Sequence, residues 1–124
     1  MDSSLFQQYK IGQYIIKQKL NEVKKFPIVL MLEPKFKCNL SCKGCGKIDF
    51  PEAALNEYLS PERCFYAANE CNAPVVSICG GEPLLHEDLP EIVEGLIKQK
   101  RIVYICTNGL LVPKHIYDYE PSKY

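Results

Sequence analysis

Apolar and polar residues alternate along this chain in two rhythms. From residue 4 to 24 the rhythm is helical: Leu5, Tyr9, Gly12, Ile16 and Leu20 recur at helical spacing, while Lys10, Lys17 and Lys19 fill polar positions. An amphipathic helix is expected, either packed on the rest of the domain or offering a face to membrane lipid. Elsewhere the pattern is one of short apolar runs: PIVLMLE from Pro27 to Glu33, VVSIC from Val75 to Cys79, and IVYIC from Ile102 to Cys106. Continuous runs of this length predict strands covered on both faces in a parallel sheet. Between them, Ser60 offers an N-cap and Pro61 a first turn to a helix over 61–71. DLPEIVEGLIKQK predicts another over 88–100, with acids at its start and lysines at its end. A turn-rich, cysteine-bearing segment follows the first run from Pro34, and Thr107-Asn108-Gly109 ends the third.

Strands alternating with helices predict an α/β fold with parallel pairing and crossover connections. The expected division is an N-terminal helix over 1–25 and a strand-helix domain over 26–124. Three strands leave open edges, and the third unit has barely begun its helix when the sequence reaches EPSKY. The expectation is therefore the N-terminal half of a larger barrel, with its chemistry at the C-terminal ends of the strands. A complete small three-stranded domain is the alternative.

Composition narrows the partners. Lys plus Arg and Asp plus Glu both number 15, so no basic field gathers nucleic acid or an acidic substrate. With 124 residues, 47% of them hydrophobic and 24% charged, the chain has the makings of one modest globular domain. No apolar stretch reaches the roughly 18 residues of a membrane span, and the start lacks a basic region followed by an apolar core. Seven cysteines are an odd number, and three fall within eight residues, which suits ligation in a reducing compartment better than a disulfide scaffold. The expected location is the cytoplasm.

The segment CNLSCKGC places Cys38, Cys42 and Cys45 in a compact loop after the first strand, where no regular structure competes for the backbone. Four thiolates saturate an all-cysteine iron-sulfur cluster, so three leave one iron with an exchangeable position. Zinc is one alternative, but a closed site needs a fourth ligand, and His86 and His115 sit apart without a paired Cys or His. A ferredoxin is another, but Cys64, Cys71, Cys79 and Cys106 fall in predicted helices or at strand ends. After the second strand comes Gly80-Gly81-Glu82-Pro83. Two glycines let the backbone approach a ligand, Pro83 rigidifies the exit, and Glu82 brings negative charge suited to an ammonium group. The plainer reading is an ordinary strand-to-helix turn.

Cys-x3-Cys-x2-Cys after a first strand, followed by GGEP after a second, resembles the radical S-adenosylmethionine (SAM) superfamily. Thr107-Asn108-Gly109 resembles the family's third-strand ending, which faces the cofactor. The resemblance implies a partial (β/α)6 TIM-like barrel whose Cys38, Cys42 and Cys45 hold a 4Fe-4S cluster. It also implies S-adenosyl-L-methionine chelated to the open iron through its amino and carboxylate groups. Gly44, Gly80, Gly81, Glu82, Pro83, Thr107 and Asn108 are then the expected cofactor contacts, and a flavodoxin or ferredoxin the expected electron donor. One position departs from the family: the residue before the last cysteine is usually aromatic and here is Gly44, which removes aromatic packing from the adenine environment.

IGQYIIKQKL, FPIVLMLEPKFKCNLSCKGCGKIDFP, APVVSICGGEPLLHEDLPEIVEG and YICTNGLL together look similar to the adenosylhopane synthase branch, and Gly44 with the CGKI continuation fits that branch. This implies addition of a 5′-deoxyadenosyl radical to the alkene of diploptene, a hydrophobic triterpene, in hopanoid biosynthesis, with peripheral contact at the inner membrane face. Such an addition leaves a carbon radical that must acquire hydrogen. Cys106, at the end of the third strand, either supplies it or is a buried core thiol. Cys64, Cys71 and Cys79 are expected to face the core, and Lys47 and Asp49 line the loop without an assigned role. The isolated chain is expected to ligate a cluster poorly and not to turn over.

Overall fold

A computed structural model describes residues 3–115. The EPSKY end and the closing part of the 26–124 unit lie outside the described residues. The order is α1 (Ser3–Leu20), β1 (Val29–Lys35), α2 (Glu52–Asn56), α3 (Pro61–Cys71), β2 (Val75–Gly80), α4 (Leu89–Lys98), β3 (Ile102–Ile105) and α5 (Val112–His115). Short 3-10 turns cover Gly46–Asp49 and Pro83–Leu85. The three strands pair in parallel in the order β1-β2-β3, with Val75 opposite both Val29 and Ile102. This is the α/β pattern expected from the alternating runs.

Local chemistry fixes the helix ends. Ser60 Oγ accepts the Arg63 N–H at 3.4 Å, Pro61 takes the first turn, and Asn72 ends α3 in the left-handed conformation with φ 52°. Arg101 then ties that end to β3 by donating to the Ala73 carbonyl at 2.8 Å. In α4 the buried residues Leu89, Ile92, Val93 and Leu96 recur at helical spacing, and Phe65 of α3 packs where a side chain at Gly95 would sit.

The core lies on one face of the sheet. Leu32, Val76 and Ile78 meet Cys64, Ala68, Leu89, Ile92 and Leu96, with Leu30, Val103 and Ile105 partly buried against them. Strand alternation sends Met31, Ser77 and Tyr104 to the other face. There Met31 is 65% and Tyr104 50% exposed. The expectation of strands covered on both faces is thus corrected: among the described residues, α3 and α4 cover one face, and most of the other stays open. An unbroken apolar run does not say which face is covered.

The N-terminal helix also turns out differently from its pattern. Leu5, Tyr9, Ile16 and Leu20, the residues that mark it as amphipathic, are exposed, while Gln7, Lys10, Ile11 and Tyr14 on the opposite side are partly buried. Polar anchors explain the orientation. Tyr14 OH donates to the Pro27 carbonyl at 2.9 Å, Lys10 to the Lys100 carbonyl at 3.2 Å, and Tyr104 OH to Gln7 Oε1 at 3.3 Å.

Candidate functional site

The three segments singled out by sequence meet at the C-terminal end of the sheet. Pro34 sits where the β1-β2 register shifts between Leu32 and Lys35, a place where a strand tolerates proline. Beyond the shift the chain leads into Cys38. Gly81 N–H donates to the Lys35 carbonyl at 3.1 Å and Glu82 N–H to the Lys37 carbonyl at 2.9 Å. A Cβ on Gly81 would collide with the Phe36 and Lys37 carbonyls, and one on Gly80, whose φ is +124°, with the Lys35 carbonyl. The close approach expected of these glycines is therefore made to the root of the cysteine loop.

Glu82 is fully buried. Its Oε1 accepts Leu84 N–H at 3.0 Å and Thr107 Oγ1–H at 2.8 Å, and its Oε2 accepts Asn108 N–H at 2.8 Å. The side chain thus clasps the start of the Pro83–Leu85 turn to the Thr107-Asn108 ending of β3. Asn108 reaches the cysteine loop in turn: Nδ2 donates to Asn39 Oδ1 at 2.7 Å and lies 4.0 Å from Cys38 Sγ. Pro83 is buried behind this clasp.

All seven cysteines are free thiols; Cys42 and Cys45 are exposed and Cys38 partly so. Cys45 N–H donates to the Cys42 carbonyl at 3.1 Å, closing a tight turn across Lys43 and Gly44. Gly44 has φ +84°, a conformation that disfavours any bulky side chain. The turn itself thus accounts for glycine at the position where an aromatic residue is usual. Among the described residues no three His, Cys, Asp or Glu side chains are gathered closely enough to hold a metal ion. The donor set nevertheless fits a 4Fe-4S cluster with one open iron: three thiols on one loop, two of them exposed, with no disulfide competing. Ligation requires the loop to draw them together.

His86 is buried, with Nε2 2.9 Å from the Leu59 carbonyl and Nδ1 accepting Asp88 N–H at 3.1 Å, so both ring nitrogens are engaged away from the triad. Cys64 is fully buried in the core, and its thiol is pushed up to about 11 by burial and then by the charge of Glu62. Cys71 is partly buried. Cys79 departs from expectation: it lies on the open face of the sheet, partly exposed, as alternation from the buried Ile78 requires. Cys106 is exposed, which removes the buried-core reading of that thiol. Its Sγ lies 3.4 Å from Ser77 Oγ.

Sequence reasoning left Lys47 without a role. Its ammonium pairs with Glu33 Oε2 at 3.0 Å and sits 4.4 Å from the centre of the Phe36 ring, which meets Phe50 edge-on at 5.9 Å. The segment after Cys45 is thereby pinned to β1. Asn39, which joins the loop to Asn108, was also missed, since nothing in CNLSC distinguishes it from a turn residue. An open cleft of about 670 Å³ lies between the end of β1 and α2, lined by Glu33, Pro34, Phe36, Ala53 and Tyr58 among others, and none of the three cysteines lines it.

Comparison with known proteins agrees with this geometry. A probable GTP 3′,8-cyclase of Archaeoglobus fulgidus is 39% identical over 82 residues, which is 64% of this chain and 27% of that protein. One from Methanococcus vannielii is 32% identical over 98 residues, 75% of this chain and 31% of the relative. The chain thus spans about a quarter to a third of the curated relatives it matches. The crystal structure of Streptococcus suis SuiB bound to S-adenosylmethionine superposes with a TM-score of 0.55 at 27% identity, covering 81% of this chain and 22% of SuiB. A family profile described as the radical SAM superfamily matches residues 32–123, a span holding the cysteine triad, GGEP and the β3 ending. The chain belongs to the radical SAM superfamily, whose cofactors are a 4Fe-4S cluster and S-adenosylmethionine.

Proposed function

We propose that this chain carries the cluster-binding part of an enzyme that adds a 5′-deoxyadenosyl radical to the alkene of diploptene, forming adenosylhopane. When bound, the cluster supplies the electron that splits the S-adenosylmethionine sulfonium to release that radical. Cys38, Cys42 and Cys45 would hold the cluster, leaving one iron free for S-adenosylmethionine. Gly44, Gly80, Gly81, Glu82, Pro83, Thr107 and Asn108 would border the bound cofactor. Glu82 acts through its clasp, keeping Asn108 against the cysteine loop.

The observation that carries the finer reading is the exposed Cys106 thiol on the open face of the sheet. Addition to an alkene leaves a carbon radical, and a thiol is a competent hydrogen-atom donor. We assign that donation to Cys106: its S–H bond breaks as a C–H bond forms, and an external reductant restores the thiol. The apolar side chains on the same open face, Val29, Met31 and Tyr104, suit a triterpene. So does the exposed Leu5, Tyr9, Ile16 and Leu20 stripe on α1, flanked by Lys17 and Lys19, as a contact for a lipid surface. No described helix is long and apolar enough to cross a membrane.

The names of the curated relatives favour a second reading, radical chemistry on GTP. The two separate in one assay on a homologue of the relatives' full length that shares CGKI, GGEP and CTNG. Incubated anaerobically with S-adenosylmethionine, a flavodoxin-type reductant and either diploptene or GTP, it is expected to yield adenosylhopane and no cyclised nucleotide. Replacing its residue equivalent to Cys106 with Ala is expected to keep cofactor cleavage and reduce the saturated product. Normal yield of that product would remove Cys106 from the mechanism.

A further inference from the structure

The open face carries a second thiol beside Cys106. Ile78 of β2 and Ile105 of β3 are register partners, and Cys79 and Cys106 are the next residues on those two strands. The ladder continues past the pair, since Cys106 N–H donates to the Ile78 carbonyl at 2.8 Å. Each cysteine follows a residue turned to the core, so both side chains lie on the open face. A side-chain contact agrees with this for Cys106, whose Sγ meets Ser77 Oγ, on the same face, at 3.4 Å. Adjacent strands stand about 4.8 Å apart, and a disulfide spans Cα separations of roughly 4.4–6.8 Å. Neighbouring positions on adjacent strands fall within that range of Cα separations.

We propose that Cys79 and Cys106 are a dithiol pair that closes reversibly to a disulfide, Cys106 reacting first and Cys79 resolving it. Exposure sets the order. Cys106 is exposed, whereas Cys79 is partly buried, and burial, Glu33 and then Cys106 itself push its thiol up, so less of it is thiolate. With a small disulfide such as oxidised glutathione, the Cys106 thiolate bonds to one glutathione sulfur as the glutathione S–S bond breaks and one glutathione thiolate leaves. The Cys79 thiolate then attacks the Cys106 sulfur, the mixed disulfide breaks, and the second glutathione thiolate leaves. Both cysteine protons pass to solvent, and a dithiol reductant reverses the sequence. Where Cys106 is the hydrogen donor, a consequence that rests on the function proposed above, the closed pair has no S–H to give and holds that step off.

The test needs neither cluster nor turnover. The chain is treated anaerobically with oxidised glutathione, remaining thiols are alkylated, and tryptic peptides are read by mass spectrometry. Cys106 falls in peptide 102–114 and Cys79 in peptide 64–98, which also holds Cys64 and Cys71, so fragment ions locate the bond. The expected product is a 64–98 to 102–114 cross-link through Cys79, two hydrogens lighter than the free peptides and opened by dithiothreitol. In Cys79→Ser, Cys106 is expected to stop at its glutathione adduct. A Cys106 cross-link to Cys64, Cys71 or the triad instead, or a wild-type glutathione adduct as persistent as that of Cys79→Ser, would overturn the pairing. Either result leaves the assignment of cofactor cleavage and diploptene addition untouched.

Discussion

Glu82 is the residue on which the site converges, because one buried carboxylate accepts from Leu84, Thr107 and Asn108. Hydrogen bonds to a charged group contribute about 1.5–3 kcal/mol each, and an amide in its place turns a donor toward at least one of those donors. Glu82→Gln is therefore expected to lower stability by about 2 kcal/mol, read as a reduced urea midpoint at unchanged slope; a midpoint equal to wild type would show that the clasp is not stabilising. Gly81→Ala drives a Cβ into the Phe36 and Lys37 carbonyls, which are backbone and cannot swing away. A loss of about 2 kcal/mol or more is expected, together with weaker iron uptake because the displaced segment leads into Cys38. Cys64 gives a pH signature. Its folded value is raised from 9.0 to about 11, so the native state keeps a proton that the unfolded chain releases. Its contribution is fully present below pH 9 and is lost as pH rises toward 11. Stability measured across that interval should decline more steeply in wild type than in Cys64→Ala, and parallel curves would contradict the assignment.

At the scale of elements, the strands and the two long core helices were legible because their signals are local. Ser60-Pro61 opens α3 at the position its sequence names, and the apolar run VVSIC lies within β2. Which side of each element is covered was not legible, since that depends on partners distant in sequence. The α1 stripe illustrates this: Leu5, Tyr9, Ile16 and Leu20 look like a packing face, yet polar anchors from Lys10 and Tyr14 turn the opposite side inward. A double Leu5→Ser, Leu20→Ser change is expected to alter stability by no more than about 0.5 kcal/mol and to abolish co-sedimentation with anionic phospholipid vesicles. Vesicle binding equal to wild type would remove α1 from lipid contact. The meaning of GGEP was likewise only half legible. Its motif announced a close approach, but the sequence could not show that the approach is to Phe36 and Lys37, or that Glu82 reaches across to β3. Lys47 was opaque for the same reason, because Glu33 and Phe36 become its neighbours only through folding.

For the molecule as a whole, one end of a one-sided parallel sheet holds the cysteine loop, GGEP and the Thr107-Asn108 ending in a single hydrogen-bonded frame, and the open face beside it carries Cys79 and Cys106. The central claim is that Cys38, Cys42 and Cys45 hold a cluster whose open iron binds S-adenosylmethionine. It is tested most directly on the full-length homologue that shares these motifs, at its residues equivalent to the three cysteines, by anaerobic iron and sulfide reconstitution followed by electron paramagnetic resonance of the dithionite-reduced protein with and without S-adenosylmethionine. The expected result is a brown chromophore lost when any one of the three cysteines is replaced by Ala, with a reduced-cluster spectrum that changes on addition of S-adenosylmethionine. A colourless protein carrying stoichiometric zinc, or an iron-sulfur spectrum indifferent to both the cysteine replacements and S-adenosylmethionine, would contradict it.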